Sequence, residues 1–272
     1  MKETVVRVIF LLITVLTVCI LVFIVAFILK HGLPVLSLKF LTRNPVEMGK
    51  EGGIFSTIVG TIALTLLAII IATPIGVGTA IFLTEYTTEG RLTRVIRFGA
   101  ECLAGIPSII FGLFGFILFV TKLKMGWSIL SGGLTLTFMV LPTIIRTSEE
   151  AIRFVPRAYR EVSYSLGGTK WQTVSRVVLP ASLPGIATGI ILSIGRCIGE
   201  TAAVIFTAGS ALRLPTSLFS SVRTMSVHFY ILAREGISMR QAYGTAAVLI
   251  ISILIINVIT YALMNRFLRK YS

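Results

Sequence analysis

Six long apolar stretches, joined by short polar and basic segments, restrict this chain to very few folds. The hydrocarbon core of a bilayer is about 30 Å thick, so about 20 apolar residues in helical form cross it. Within that core every backbone N–H and C=O must be satisfied by the protein, which leaves helices or closed barrels. The apolar runs are continuous and lack the alternation of barrel strands, so the reading is helical. The spans are placed at roughly 8–29, 57–83, 98–120, 131–146, 184–209 and 242–265. The fourth is short and contains Pro142. Mean hydropathy is +0.95 and 13% of the 272 residues are charged, a balance that a soluble domain of this length does not show. The expected fold class is an all-α integral membrane protein with one transmembrane domain over 1–272 and a core at 57–265. The first span is too long for the apolar region of a leader peptide, and His31-Gly32-Leu33-Pro34 offers no small-x-small cleavage site. It is expected to be an uncleaved anchor helix.

The net charge of +14 comes from basic residues that flank the spans, as the positive-inside rule requires, and does not call for nucleic acid. Six spans put both termini on one side. Placing that side in the cytoplasm brings together Lys2 and Arg7, the cluster Arg91, Arg94 and Arg97, a long polar loop, and Arg266, Arg269 and Lys270. Cys19, Cys102 and Cys197 each fall within a span, which argues for packing roles and against disulfides or a CxxC-type metal site.

The chain lacks the residues that most enzymes of this size would need. It has no aspartate; all 11 acidic residues are glutamates. No G-x-x-x-x-G-K-[ST] loop is present, and Gly167-Gly168-Thr169-Lys170 has the wrong spacing for one. His31 and His228 are far apart in sequence, and both are expected outside. There is no metalloprotease signature and no nucleophile elbow. An energy-consuming role therefore requires a partner that binds the nucleotide.

The loop at 147–183 is the candidate docking point. Glu149, Glu150, Arg153, Arg157 and Arg160 alternate with apolar residues. Pro156 suits the start of a helix, Ala158 to Leu166 reads as a short amphipathic helix, and Gly167-Gly168 suits its C-cap. Trp171 opens a second short helix, expected to end before Leu179-Pro180. The result is an elbow that carries a helix parallel to the membrane.

Arg196 and Glu200 are expected in the middle of the fifth span. There each charge costs roughly 2.5–3.5 kcal/mol on insertion scales. Four residues apart, they share a helix face and can pair. An arginine held by a glutamate can exchange that partner for a passing oxyanion, which its planar fork binds through two oxygens. Gly185, Gly189, Ser193 and Cys197 form a small-residue line along the same span, with Gly195 and Gly199 beside it. Glu101 is read as a snorkelling side chain near the interface. Pro74, Pro107 and Pro142 are expected to kink their spans. This chemistry supports an oxyanion path without separating phosphate from sulfate, molybdate or phosphonate. A secondary anion transporter, which gives the loop no purpose, and a membrane sensor or scaffold whose loop recruits a signalling protein are rival readings.

Glu161-Val162-Ser163, then Gly167, then Val177-Val178-Leu179-Pro180 resembles the EAA loop of ABC-importer permeases, with Val162-Ser163 in place of two alanines and Val177 in place of isoleucine. Several further segments are similar to the PstA family of phosphate-importer permease subunits. They include Gly52-Gly53-Ile54, Pro74-Ile75-Gly76-Val77, Ala80 to Tyr86, Leu103 to Ser108, Phe111 to Gly115, Gly195-Arg196 through Ala202, Phe206 to Gly209 and Thr224 to His228. The resemblance implies the permease fold of type I ABC importers, non-catalytic and multi-pass in a bacterial inner membrane. It implies a heterodimer with a PstC-like second permease subunit, a PstB-like cytoplasmic ATPase dimer that holds ATP and magnesium, and a PstS-like external phosphate-binding protein. This chain itself would carry no cofactor. Arg160, Glu161, Tyr164, Gly167, Gly168, Leu179 and Pro180 would form the ATPase-coupling loop, with Glu161 facing an arginine of the ATPase. Arg196 and Glu200 would line the substrate pathway.

Overall fold

The computed structural model describes the backbone of residues 2–271 and the side chains of residues 6–259, 261 and 262. The Lys2 side chain and the expected basic cluster at Arg266, Arg269 and Lys270 lie outside the described side chains. The first helix, α1 (Lys2–Gly32), presents its apolar window entirely to the surroundings. It touches the remainder at its end, where the Phe27 and His31 rings lie 6.0 and 5.2 Å from that of Tyr243. Gly32 is needed there, because a Cβ would collide with the Tyr243 carbonyl and the Ala247 methyl.

A short helix α2 (Leu38–Thr42) follows, capped by the Ser37 hydroxyl accepting from Phe40 N at 3.2 Å. The antiparallel strands β1 (Pro45–Val46) and β2 (Glu51–Gly52) lead into α3 (Phe55–Ile81), which a π-helical turn extends to Tyr86. Next come α4 (Arg91–Ala104) and α5 (Ser108–Gly115), the latter prolonged by a π-helical turn to Lys122. The long α6 (Ile129–Phe154) leads to the elbow, made of α7 (Arg157–Ser165) and α8 (Lys170–Thr173). A π-helical turn, Val174–Val178, joins α8 to α9 (Leu179–Gly199). Two short helices, α10 (Ala202–Thr207) and α11 (Met225–Arg234), precede α12 (Met239–Tyr271). By length and composition five helices can cross a membrane, or six if the bent pair α4 and α5 forms one span.

The centre of the molecule is α6, packed between α3 and α9. Leu136, Met139, Val140 and Ile144 are fully buried, and Leu64, Ala68 and Ala72 meet them from α3. Lipid tails are as apolar as these side chains, so close contact rather than water exclusion must favour such packing. The small residues serve that purpose. A Cβ on Gly185 would strike Ala151, one on Gly189 would strike Thr147, and Ser193 and Cys197 are buried on the same line.

Four expectations change. The third span is not one rod from 98 to 120: α4 and its continuation Ser108–Lys122 are bent 103° apart across Gly105-Ile106-Pro107. Proline at 107 forces Ile106 out of the helical region and ends α4 outright. The fourth span is longer than 131–146, since α6 runs through Pro142 to Phe154 and takes in Glu149, Glu150 and Arg153. The helix before Pro180 does not stop there. The wider Val174–Val178 turn relieves the clash that a proline makes with the turn before it, and the helix runs on into α9. The fifth span ends at Gly199 and not at 209.

Candidate functional site

The elbow is fixed at every joint. Pro156 excludes Val155 from the helical region, which terminates α6 and opens α7. The backbone beyond α7 reverses at Gly167, whose φ of +82° favours glycine. There Gly167 N donates to Tyr164 O at 2.9 Å and Gly168 N to Ser163 O at 3.0 Å. Thr169 and Gln172 form a reciprocal capping box at the start of α8. The Ser163 and Thr173 hydroxyls, 2.8 Å apart, tie the two short helices together.

Arg160 is the centre of this joint, and it points inward. Its Nη2 and Nε donate to Glu85 Oε1 at 2.6 and 3.0 Å, Nη1 to Val155 O at 2.8 Å, and Nη2 also to Ile152 O at 3.1 Å. One guanidinium thus caps the last turn of α6 and holds the end of the α3 extension. The Arg160 and Glu85 side chains are only 17% and 8% exposed. Lys170 adds a second tie, with Nζ 5.2 Å from the Tyr86 ring centre.

The outer face of the elbow, at the ends of the spans, is apolar. Phe154, Leu166, Trp171, Val162, Tyr159 and Tyr164 are all exposed. Glu161 is exposed among them. Tyr159, Val162, Leu166, Gly167, Arg176 and Val177 border an open groove of about 700 Å³. A patch of this kind, rich in aromatic residues and carrying a few charges, is suited to bind a protein. Gly167 and Gly168 sit at the turn, as expected, and Tyr164 lies in the last turn of α7. Leu179 and Pro180 open α9, directly after the π-helical turn that follows α8.

Arg196 and Glu200 are close in sequence, but they do not pair. The helix ends at Gly199, and Glu200 has extended backbone (ψ 129°), which takes it off the helix face. Its Oε1 accepts from Ala203 N at 3.2 Å, capping α10, and its carbonyl accepts from Ser226 Oγ at 2.6 Å. Arg196 is half-buried and makes no hydrogen bond or ion pair among the described residues. On either side of it, a Cβ on Gly195 or Gly199 would meet no atom within 4 Å. The expected ion pair is replaced by a guanidinium with free donors beside open space. The breaking of the helix is what separates the two residues.

The sequence reading did not connect Glu85 with Arg160; its signal was a single carboxylate at the end of a span, on the same side as the elbow. Nor did it find the buried pair Arg223 and His228 between α10 and α12. Arg223 donates through Nε to Ser210 O at 2.9 Å, and burial lowers its pKa despite the opposing influence of Glu235. Burial, and then the charge of Arg223, push the His228 imidazole down to about 4, so it is neutral at ordinary pH.

Comparison with known proteins agrees with this geometry. The family of binding-protein-dependent transport system inner membrane components matches residues 72–272. The probable ABC transporter permease protein YqgI of Bacillus subtilis (strain 168) is 35% identical over 254 residues, 88% of this chain and 86% of its own length. The phosphate transport system permease protein PstA 1 of Mycobacterium tuberculosis (strain ATCC 25618 / H37Rv) is 37% identical over 209 residues, 76% of this chain and 68% of its own. Among solved structures, a chain of the bacterial alginate ABC transporter in complex with alginate pentasaccharide-bound periplasmic protein superposes with a TM-score of 0.67. It is 16% identical and covers 94% of each chain, a likeness of fold alone.

Proposed function

We propose, for a chain that belongs to the family of binding-protein-dependent transport system inner membrane components, that the solute it admits is inorganic phosphate. The chain is a permease subunit of an ABC importer with the type I permease fold. The phosphate reading is supported by relatives named as phosphate permeases and by the chemistry of Arg196. Arg196 carries it: a guanidinium in the last turn of α9, unpaired and flanked by open space at two glycines, can bind a tetrahedral oxyanion through two oxygens. Glu200 borders this path and holds the start of α10.

The chain supplies no nucleotide chemistry. With no aspartate and no phosphate-binding loop, it leaves ATP and magnesium to a cytoplasmic ATPase dimer, and its own role is non-catalytic. That dimer docks on the apolar face of α7 and α8, with Glu161 as the charged contact. A second permease subunit completes the path, and an external binding protein delivers the phosphate. The elbow faces the cytoplasm of a bacterial cell, as do both termini.

The bonds of the chain supply a route for force. Closure of the ATPases displaces α7. Arg160 passes that displacement to α3 through Glu85 and to α6 through two carbonyls. The α6 helix lies directly on α9 at Gly185 and Gly189, so it cannot shift without moving the helix that carries Arg196. A rigid lever of this kind shifts a packed bundle between discrete arrangements.

The test is uptake by the purified complex in proteoliposomes. Labelled phosphate should accumulate only with ATP and the external binding protein. Uptake without ATP would point to a secondary transporter, and transport of sulfate or molybdate in place of phosphate would move the assignment to another oxyanion.

A further inference from the structure

We propose that α4 is an interfacial helix, lying in the plane of the cytoplasmic leaflet and holding anionic lipid headgroups with Arg91 and Arg94. Three observations converge on this placement. The first is the bend: α4 and the apolar segment Ser108–Lys122 diverge by 103°, so if that segment crosses the bilayer, α4 runs nearly along its surface.

The second is the three-way division of the α4 surface. At about 100° per residue, Thr93, Arg97 and Ala100 face α6, where Thr93 is buried and Arg97 Nε donates to Glu149 Oε1 at 2.8 Å. On another arc Leu92, Val95, Phe98 and Cys102 form an exposed apolar stripe; the first three are 62%, 66% and 66% exposed. Arg94 and Glu101 occupy the arc between, and Arg91, on the first turn, starts from the apolar arc with a side chain long enough to snorkel to the headgroups. A helix with one face on protein, one on hydrocarbon and one on headgroups would carry this pattern.

The third is the depth of the charges. Arg91, Arg94, Arg97 and Glu101 are spread over eleven residues, about 15 Å of helix. In a crossing helix Glu101 would sit halfway into the hydrocarbon core, among charges at several depths, each costly to hold there. In the plane, all four lie at headgroup level.

The charge on the page selects the occupant. Glu89 and Glu149 already engage Arg97, and Arg153 binds the same Glu149. Arg91 and Arg94 have no carboxylate partner among the described residues. Two arginines beside an apolar stripe match phosphatidylglycerol-type headgroups, because basic side chains at this depth are drawn to an anionic surface.

The experiment places spin labels on the intact complex in nanodiscs. One label goes at Val95→Cys and the other at the native Cys102, each in a background without the remaining cysteines. An in-plane helix puts both labels at the same shallow depth, accessible to oxygen and shielded from a water-soluble nickel chelate. A crossing helix would separate them by about 10 Å in depth and overturn the proposal. Labels accessible to neither reagent would mean that a protein subunit covers this face, which also overturns it. Quenching by brominated phosphatidylglycerol should exceed that by brominated phosphatidylcholine several-fold. The double variant Arg91→Gln/Arg94→Gln should lose that preference while keeping the depth, and an unchanged preference would refute the headgroup contact.

Discussion

The elbow at 155–178 and the end of α9 at 196–200 each bring an arginine and a glutamate to the end of a helix, and the protein treats the two pairs in opposite ways. At the elbow Arg160 spends its donors on Glu85 and on the carbonyls of Ile152 and Val155, at the end of α6. At the end of α9 Arg196 makes no such bonds, while Glu200 is occupied with backbone groups. A part that transmits force must hold one shape, so its polar groups are satisfied internally. A part that binds a passing ion must keep its donors free.

The largest test of this contrast is Arg160→Ala. It strands the Glu85 carboxylate, 8% exposed, and uncaps α6. Removing one partner of a buried pair costs about 3–5 kcal/mol, so the purified complex should lose thermal stability and coupled hydrolysis together. Adding Glu85→Gln should recover a large part of the loss; a double variant no better than the single would show that the pair is not the joint. Arg196→Lys should do the reverse, leaving stability and assembly intact while phosphate uptake falls. The lost fork is worth roughly 1.5–3 kcal/mol for hydrogen bonds to a charged group, a decrease of about 10- to 100-fold. Uptake at the normal rate would remove Arg196 from the path.

Glu161→Lys reverses a charge on the exposed face of α7 without touching the Arg160 joint. ATPase association, read by titration against the solubilised permease, should weaken by about tenfold, or 1.4 kcal/mol. Unchanged binding would place the dock elsewhere. The smallest effect belongs to Gly167→Ala. Nothing lies within 4 Å of the added Cβ, so only the left-handed backbone resists it, at about 1–2 kcal/mol. Thermal unfolding should shift slightly, and coupling should fall further than stability if the elbow is the lever.

Much of this was legible in the sequence. The α7 helix lies within one residue of its expected ends because a proline before it and a glycine pair after it are local instructions. The small-residue line of α9 announced a close neighbour, and Gly185 and Gly189 do meet α6. Other elements were misread where a local signal had a nonlocal answer. Pro142 looked like a weak point, yet α6 continues past it with Pro142 buried. Pro107, a proline of the same kind, breaks its span completely. Arg196 and Glu200 carry the spacing of a helical ion pair, and one extended residue cancels it.

The sequence by itself determined that the chain crosses a membrane and where the elbow folds. Hydropathy, caps and missing motifs are properties of composition and near neighbours, and they survive without a fold. The tertiary structure alone decided which charges are satisfied. Glu85 and Arg160 are 75 residues apart and meet only because α3 and α6 pack side by side. Which arginine is bonded and which keeps its donors free follows from that packing, because a charge is spent or spare according to what the folded chain brings within about 3 Å of it.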